Sequence, residues 1–332
     1  TASLGVVVDL REPVSRFYVE PHKLEALVSF TTLLVAAGRR MRRVGLGWRV
    51  PVRLLDHVLG GWAWAILVRR PVFSVLHSLF SLVKGRAVGS LVSLSLSALW
   101  ELETLTFLAP FLEGSTRPLV STVGASDACG TGRAAVVRRD CPVDVLWELV
   151  SEVDARGSWR AFSPEGLAHR ATEAGRKAAA WLAQDRWVTV RHGPWRQSIP
   201  RCINLGETVA ALEIVRWFAS QPGLFAGTRV PLWNDNQATL GLLSKGRSSI
   251  WDLNVLGARK LCAFGLASNV EFLWVFVCSA LMPADRPSRA HLRLHPPSYW
   301  LKRVYRQRRG WSVFVSLPSG RTVSVRVCAL DS

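Results

Sequence analysis

No two of the six cysteines (Cys129, Cys141, Cys202, Cys262, Cys278 and Cys328) form a CxxC pair. A zinc site built on paired thiolates is therefore not suggested. Their scatter suits free thiols in a reducing compartment, cytoplasmic or nuclear. No apolar run reaches the ~18–20 residues that a membrane span needs. Leu24–Ala37, Trp62–Val68 and Ala87–Trp100 all fall short, and the last is interrupted by serines. Nothing after Thr1 has the basic segment and apolar core of a secretory signal. A start without Met reads as a piece of a longer polyprotein. Acids are scarce, with 24 Asp and Glu against 42 Lys and Arg, for a net charge of +18. That balance favours a polyanionic partner, nucleic acid before membrane, through phosphate neutralisation and counterion release.

What is present is ample apolar material, 49% of 332 residues, enough for about two domains with real cores. Residues 1–20 read as a strand, Leu4–Leu10, and a turn at Pro13. Apolar positions Leu24, Leu27, Val28, Leu34 and Val35 give one helical face over Lys23–Ala37. Further helices are expected over Val50–Gly60, Trp62–Val83 and Val88–Leu112, broken by Gly60-Gly61 and by Arg69-Arg70-Pro71. Residues 1–115 thus form a mainly α-helical region after the opening strand. A loop, Gly114 to Pro118, marks a boundary.

The pattern then changes. Leu119–Ser126 reads as a strand ending in Asp127, turned by Gly130-Thr-Gly132 into a returning strand, Arg133–Val137. Residues 140–185 read as mostly helical, clearest over Glu165–Gln184, and Arg186–Val190 as a short strand. Asn204 is placed to cap a helix running to about Ser220. Strands are expected at Thr228–Trp233 and Val270–Val277, with a helix, Asp252–Ala267, between them. Pro283 to Arg289 is a turn or helix start. This order predicts an α/β domain over 116–292 with a mixed sheet flanked by helices. A basic tail, 293–332, ends in a hairpin of Ser312–Leu317 and Thr322–Cys328.

Four acidic segments occur in sequence: Ser126-Asp-Ala-Cys-Gly-Thr-Gly, Ile203-Asn-Leu-Gly-Glu-Thr-Val, Trp233-Asn-Asp-Asn-Gln-Ala and Met282-Pro-Ala-Asp-Arg-Pro-Ser-Arg. A carboxylate at the end of a buried strand is well placed for a metal, because the strand fixes the backbone while its tip meets solvent. Together these segments resemble the ribonuclease H-like domain of retroelement reverse transcriptases, especially tyrosine-recombinase-type elements and their protist relatives. The resemblance covers roughly residues 119–290. More faintly, residues 20–112 resemble the segment after the polymerase palm of such elements, through Leu55–Gly60 and Arg69-Arg-Pro-Val-Phe-Ser-Val-Leu. The Tyr-x-Asp-Asp of the polymerase itself is absent, so the chain does not polymerise alone.

The resemblance implies a ribonuclease H-like fold, hydrolysis of RNA in RNA–DNA hybrids, and an upstream polymerase portion of the same polyprotein as partner. It implies Asp127, Glu207, Asp235 and Asp285 as catalytic acids holding two Mg²⁺, with Mn²⁺ as a substitute. In-line phosphodiester hydrolysis needs the attacking and leaving oxygens stabilised, which two ions about 4 Å apart achieve. Mg²⁺ takes carboxylate and water oxygens. In the family Asp127 would serve both ions, Glu207 and Asp235 the leaving-group side, and Asp285 the nucleophile side. Four crowded acids repel without metal, which raises at least one pKa. Departures from the family are Cys129 for the usual Ser, Met282 for the usual Asn, and no His between Cys278 and Asp285; Ser279 lies there, and His291 is distant.

Substrate grip is expected from Lys245, Arg247, Ser248 and Ser249 ahead of a helix start near Asp252, and from Arg286 and Arg289 beside the last acid. The tail cations Lys302, Arg303 and Arg306, interleaved with Tyr299, Trp300 and Tyr305, suit a strand-tracking surface or a basic amphipathic helix. The alternative function is a catalytically weak ribonuclease H-like module that only binds nucleic acid. A membrane protein and a transposase or integrase are less favoured.

Overall fold

The computed structural model describes the chain apart from residues 1, 4, 11–14, 46–47, 157–185, 196–201, 278, 291–302, 308–309, 317–321 and 328–332. The chain opens with strands β1 (Ala2–Ser3), β2 (Val6–Asp9) and β3 (Arg16–Val19). Helices α1 (Pro21–Arg43), α2 (Val52–Ile66), α3 (Ser78–Val83) and α4 (Leu96–Leu108) follow, with β4 (Arg49–Pro51) ahead of α2 and β5 (Leu91–Ser93) ahead of α4. β6 (Glu113–Ser115) returns to pair with β3, closing a four-stranded antiparallel sheet, and β4 pairs with β5. The region is therefore mainly helical but carries two small sheets, where one strand was expected. These strands are two to four residues long, too short to leave an alternating pattern.

α1 buries Thr31, Leu34, Val35 and Gly38, a spacing of three and four that keeps them on one stripe. A Cβ on Gly38 would stand 2.7 Å from the Trp48 ring and 2.8 Å from Leu99 of α4, so only glycine permits this crossing. α2 runs straight through Gly60-Gly61, where a break was expected. Leu27 of α1 packs on Gly61, and the buried Trp62 donates to Thr31 Oγ1 at 3.0 Å. Tertiary packing here outweighs the helix cost of two glycines. The expected break at Arg69-Arg70-Pro71 is found. A 3₁₀ segment, Leu67–Val75, contains Pro71 and leaves helical geometry at Arg69. The helix expected over Val88–Leu112 starts only at Leu96, where Ser95 caps it by accepting from Ala98 N.

The second region holds β7 (Val123–Ala128), β8 (Gly132–Arg138), α5 (Val143–Arg156), β9 (Val188–Pro194), α6 (Ile203–Ala219), β10 (Arg229–Asn234), α7 (Gln237–Lys245), α8 (Arg259–Ser268), β11 (Glu271–Phe276) and a single turn, α9 (Asp285–Ser288). The sheet order is β11-β10-β7-β8-β9. β11, β10 and β7 are parallel; β8 runs antiparallel between β7 and β9. This is the mixed sheet expected, an initial hairpin followed by crossovers. α6 covers one face, with Ile214, Val215 and Phe218 on Ala135, Val230 and Leu232. Leu146 and Val150 of α5 cover the other, against Val123, Ala125, Trp233 and Val275. Gly124 lets α6 approach, since a Cβ there would meet Ile214, Leu232 and Phe218 at 2.7–2.9 Å.

β6 belongs to the first sheet, and Leu119 already bridges to Arg229 of the second, so the chain passes between the regions over residues 116–118. The tail is a three-stranded antiparallel sheet, β12 (Arg303–Gln307), β13 (Gly310–Ser316) and β14 (Thr322–Val327), not a lone hairpin. The basic stretch supplies its extra strand. Glu165–Gln184 lies outside the described residues. Among the described residues no helix is long and apolar enough to cross a membrane.

Candidate metal centre

The parallel register sets Leu232 beside Gly124 and Trp233 beside Ala125. Continued by two residues, it carries Asp235 to the level of Asp127, at the ends of neighbouring central strands. α6 starts beside the same sheet edge and adds Glu207. Ligand oxygens of Asp127, Glu207 and Asp235 all lie within 4.8 Å of one another. Successive acids are 80 and 28 residues apart along the chain, and each is brought in by a different element. Asp127 and Glu207 are only 5% and 4% exposed, whereas Asp235 is half-buried.

Hydrogen bonds fix the group. Glu207 accepts from Ala128 N at 3.2 Å and from Asn234 Nδ2 at 3.2 Å. Asn234, fully buried, also donates to Ser126 O at 3.1 Å, and its Oδ1 accepts from Asn236 N at 2.9 Å. It thus ties both strand ends to the helical acid. Asn236 caps α7 through Thr239 N and donates to Asn204 Oδ1 at 3.0 Å. Asn204 was expected to cap α6. Cys202 stands at that position instead, and the Asn204 side chain spans to the Asn236 loop. Close packing of the next layer holds α6: a Cβ on Gly257, in the π-helical turn Asn254–Ala258, would stand 2.4 Å from Thr208.

Electrostatically the group is unbalanced. Burial first, then the Asp235 and Asp285 charges, push Asp127 up to about 6; contact with the Ser288 hydroxyl and the Arg289 charge pull the other way. Burial, then Asp127 and Asp235, push Glu207 up to about 8, against its two hydrogen bonds. Asp127 Oδ2 is buried and has no hydrogen-bond partner. A buried acceptor without a donor is costly, and here it faces two other carboxylates. An oxygen-only donor set with an orphaned carboxylate oxygen fits a hard divalent cation.

The fourth expected acid stands at the rim. Asp285, on α9, is about a third exposed and pairs with Arg289 Nη2 at 2.6 Å. It is near enough to raise Asp127 but is not one of the three gathered ligands. Arg289 is correspondingly engaged with Asp285, while Arg286 is exposed. Cys129 reaches Thr131 Oγ1 at 3.4 Å and Ser288 O at 3.5 Å, which fastens the β7–β8 turn to α9.

Lys245, Arg247, Ser248 and Ser249 come together on one groove between α7 and the first region. The helix start lies at Trp251 rather than Asp252. Arg303 and Arg306 lie on β12, in register with Phe314 and Trp311; Lys302 is outside the described residues. Sequence reading gave Asn234 no role, although an amide beside the acid at an apolar strand's end is the signal. A scan against protein-family models and a search of curated proteins both find no match for this chain.

Proposed function

We propose that the chain is a metal-dependent nuclease that hydrolyses RNA in RNA–DNA hybrids, as the rear part of a retroelement reverse transcriptase polyprotein. The observation that carries the reading is the convergence of Asp127, Glu207 and Asp235 within 4.8 Å, with one Asp127 oxygen buried and unpartnered. The mixed sheet, with the first acid on the strand that opens the hairpin and another just past the end of its parallel neighbour, supports a ribonuclease H-like reading. Bound Mg²⁺ or Mn²⁺ would supply charge neutralisation and Lewis-acid activation for phosphodiester hydrolysis.

The residues of the chain prepare that chemistry. Asn234 and Ala128 N hold both Glu207 oxygens, so the carboxylate cannot swing to solvent. Glu207 and Asp127 would release protons on holding a cation, since their raised pKa values come from burial and mutual repulsion. Parting Asp285 from Arg289 would add the fourth carboxylate of a two-ion site. That ion pair also supports a second reading, a ribonuclease H-like module that binds nucleic acid without cutting it, because it withholds Asp285 from the group.

Cleavage of a labelled RNA–DNA hybrid separates the two. The nuclease cuts RNA with Mg²⁺ and not with EDTA, and Asp127→Asn lowers the rate by at least ~100-fold. Hybrid bound but uncut by wild type removes the nuclease reading.

A further inference from the structure

A groove of about 530 Å³ opens between the helical region and the loop after α7. One wall brings His77, Phe80, Ser81 and Lys84 from around α3. The other brings Asn204, Lys245, Arg247, Ser248, Ser249 and Asn254. None of the lining residues is Asp or Glu. Cations and hydroxyls without a single acid, between two regions of the fold, describe a surface complementary to an anion.

The walls are held in place. Gly246 closes α7 in the left-handed region, φ +69°, and a Cβ there would stand 2.5 Å from Arg70 O. The loop backbone is thus pressed against the helical region. Arg247 lies over the Phe73 and Phe80 rings, 5.7 and 5.4 Å from their centroids. Buried Asn254 donates to Ser74 O at 2.8 Å and accepts from Ser248 N at 3.1 Å, so one side chain joins both walls. At the rim Trp251 is 47% exposed and meets His77 edge-on, with centroids 4.9 Å apart. Asn204, which lines the groove, accepts from Asn236, the residue next to Asp235.

We infer that this composite groove seats one nucleic-acid strand on its way to the carboxylates. Lys84 of the helical region and Arg247 would take its phosphates, and Trp251 would stack a base or sugar at the rim. A cationic groove combined with an exposed ring is how single strands are held without sequence readout. The inference deepens the nuclease reading by assigning the helical region a part in substrate binding.

The test is fluorescence anisotropy with EDTA present, on the full chain and an RNA–DNA hybrid bearing a single-stranded overhang. Lys84→Ala, at an exposed position, is expected to weaken binding at low salt and to lower the slope of log affinity against log salt by about one. Lys84→Arg keeps wild-type binding. Trp251→Ala weakens binding about tenfold with an unchanged salt slope. Lys84→Ala and Trp251→Ala that both bind as wild type, with the same slope, overturn the inference. Its failure is separable from that of the nuclease: binding that needs Lys84 in a protein that never cuts keeps the groove and removes the enzyme, and cutting indifferent to both substitutions does the reverse.

Discussion

Two buried glutamates, one in each region, are each 4% exposed and stand in opposite electrical settings. Glu101 of α4 accepts from Ser78 N at 2.8 Å and Leu79 N at 2.9 Å, capping α3, and takes Arg259 Nη2 at 2.8 Å. Arg259 in turn donates to Ser74 O and Val75 O and lies under Trp251. Every partner of Glu101 is a donor, and one is a cation from the other region. Glu207 also has two donors, but its charged neighbours are Asp127 and Asp235. Burial of an acid is therefore no mark of function by itself. The mark is burial among like charges, a setting that a bound cation would balance.

Breaking the satisfied side of this comparison has the largest expected effect. Glu101→Ala leaves the Arg259 guanidinium and two amides without their acceptor, and is expected to cost about 3 kcal/mol in chemical denaturation. Replacing the pair together, Glu101→Leu with Arg259→Met, recovers part of that loss, because no charge is then left behind although the Ser78 and Leu79 amides still lack their acceptor.

The unsatisfied side has a distinctive pH signature. Asp127 and Glu207 hold their protons to about 6 and about 8 when folded, above ordinary values of 3.8 and 4.5. The folded metal-free protein therefore binds more protons than the unfolded chain between pH 4 and 8. Stability contributed by the protonated acids is complete at the low end and is lost as pH rises to the high end. Thermal unfolding in EDTA across that window checks the sign; stability that rises through it contradicts the account. Divalent metal should stabilise most at the alkaline end, where fewer protons are displaced.

The acids were legible because four acidic segments stand in the order of a known domain; Asp127 and Asp235 each close an apolar run, but a strand end of that kind alone is as readily a turn. The order of strands and helices in the second region was legible from runs of Val, Ile, Leu and Trp cut by glycine and asparagine. What depended on partners far along the chain was not. Asn234 acts on Ser126, 108 residues away. Asn204 has a capping residue's chemistry but spends it on Asn236, 32 residues on. Gly60-Gly61 looks like a helix end and is the place where Leu27 packs close. The pairing of Asp285 with Arg289 is only four residues long, yet nothing in the motif tells whether the acid faces the metal group or its neighbour.

The central claim, that the three gathered acids are a metal site, is tested most directly by thermal unfolding of wild type and Asp127→Asn with and without Mg²⁺ near pH 8. Mg²⁺ is expected to raise the wild-type Tm; Asp127→Asn should melt higher than wild type in EDTA because one repelling charge is gone, and Mg²⁺ should then add little. A wild-type Tm indifferent to Mg²⁺ and Mn²⁺, with Asp127→Asn no more stable in EDTA, would contradict that claim.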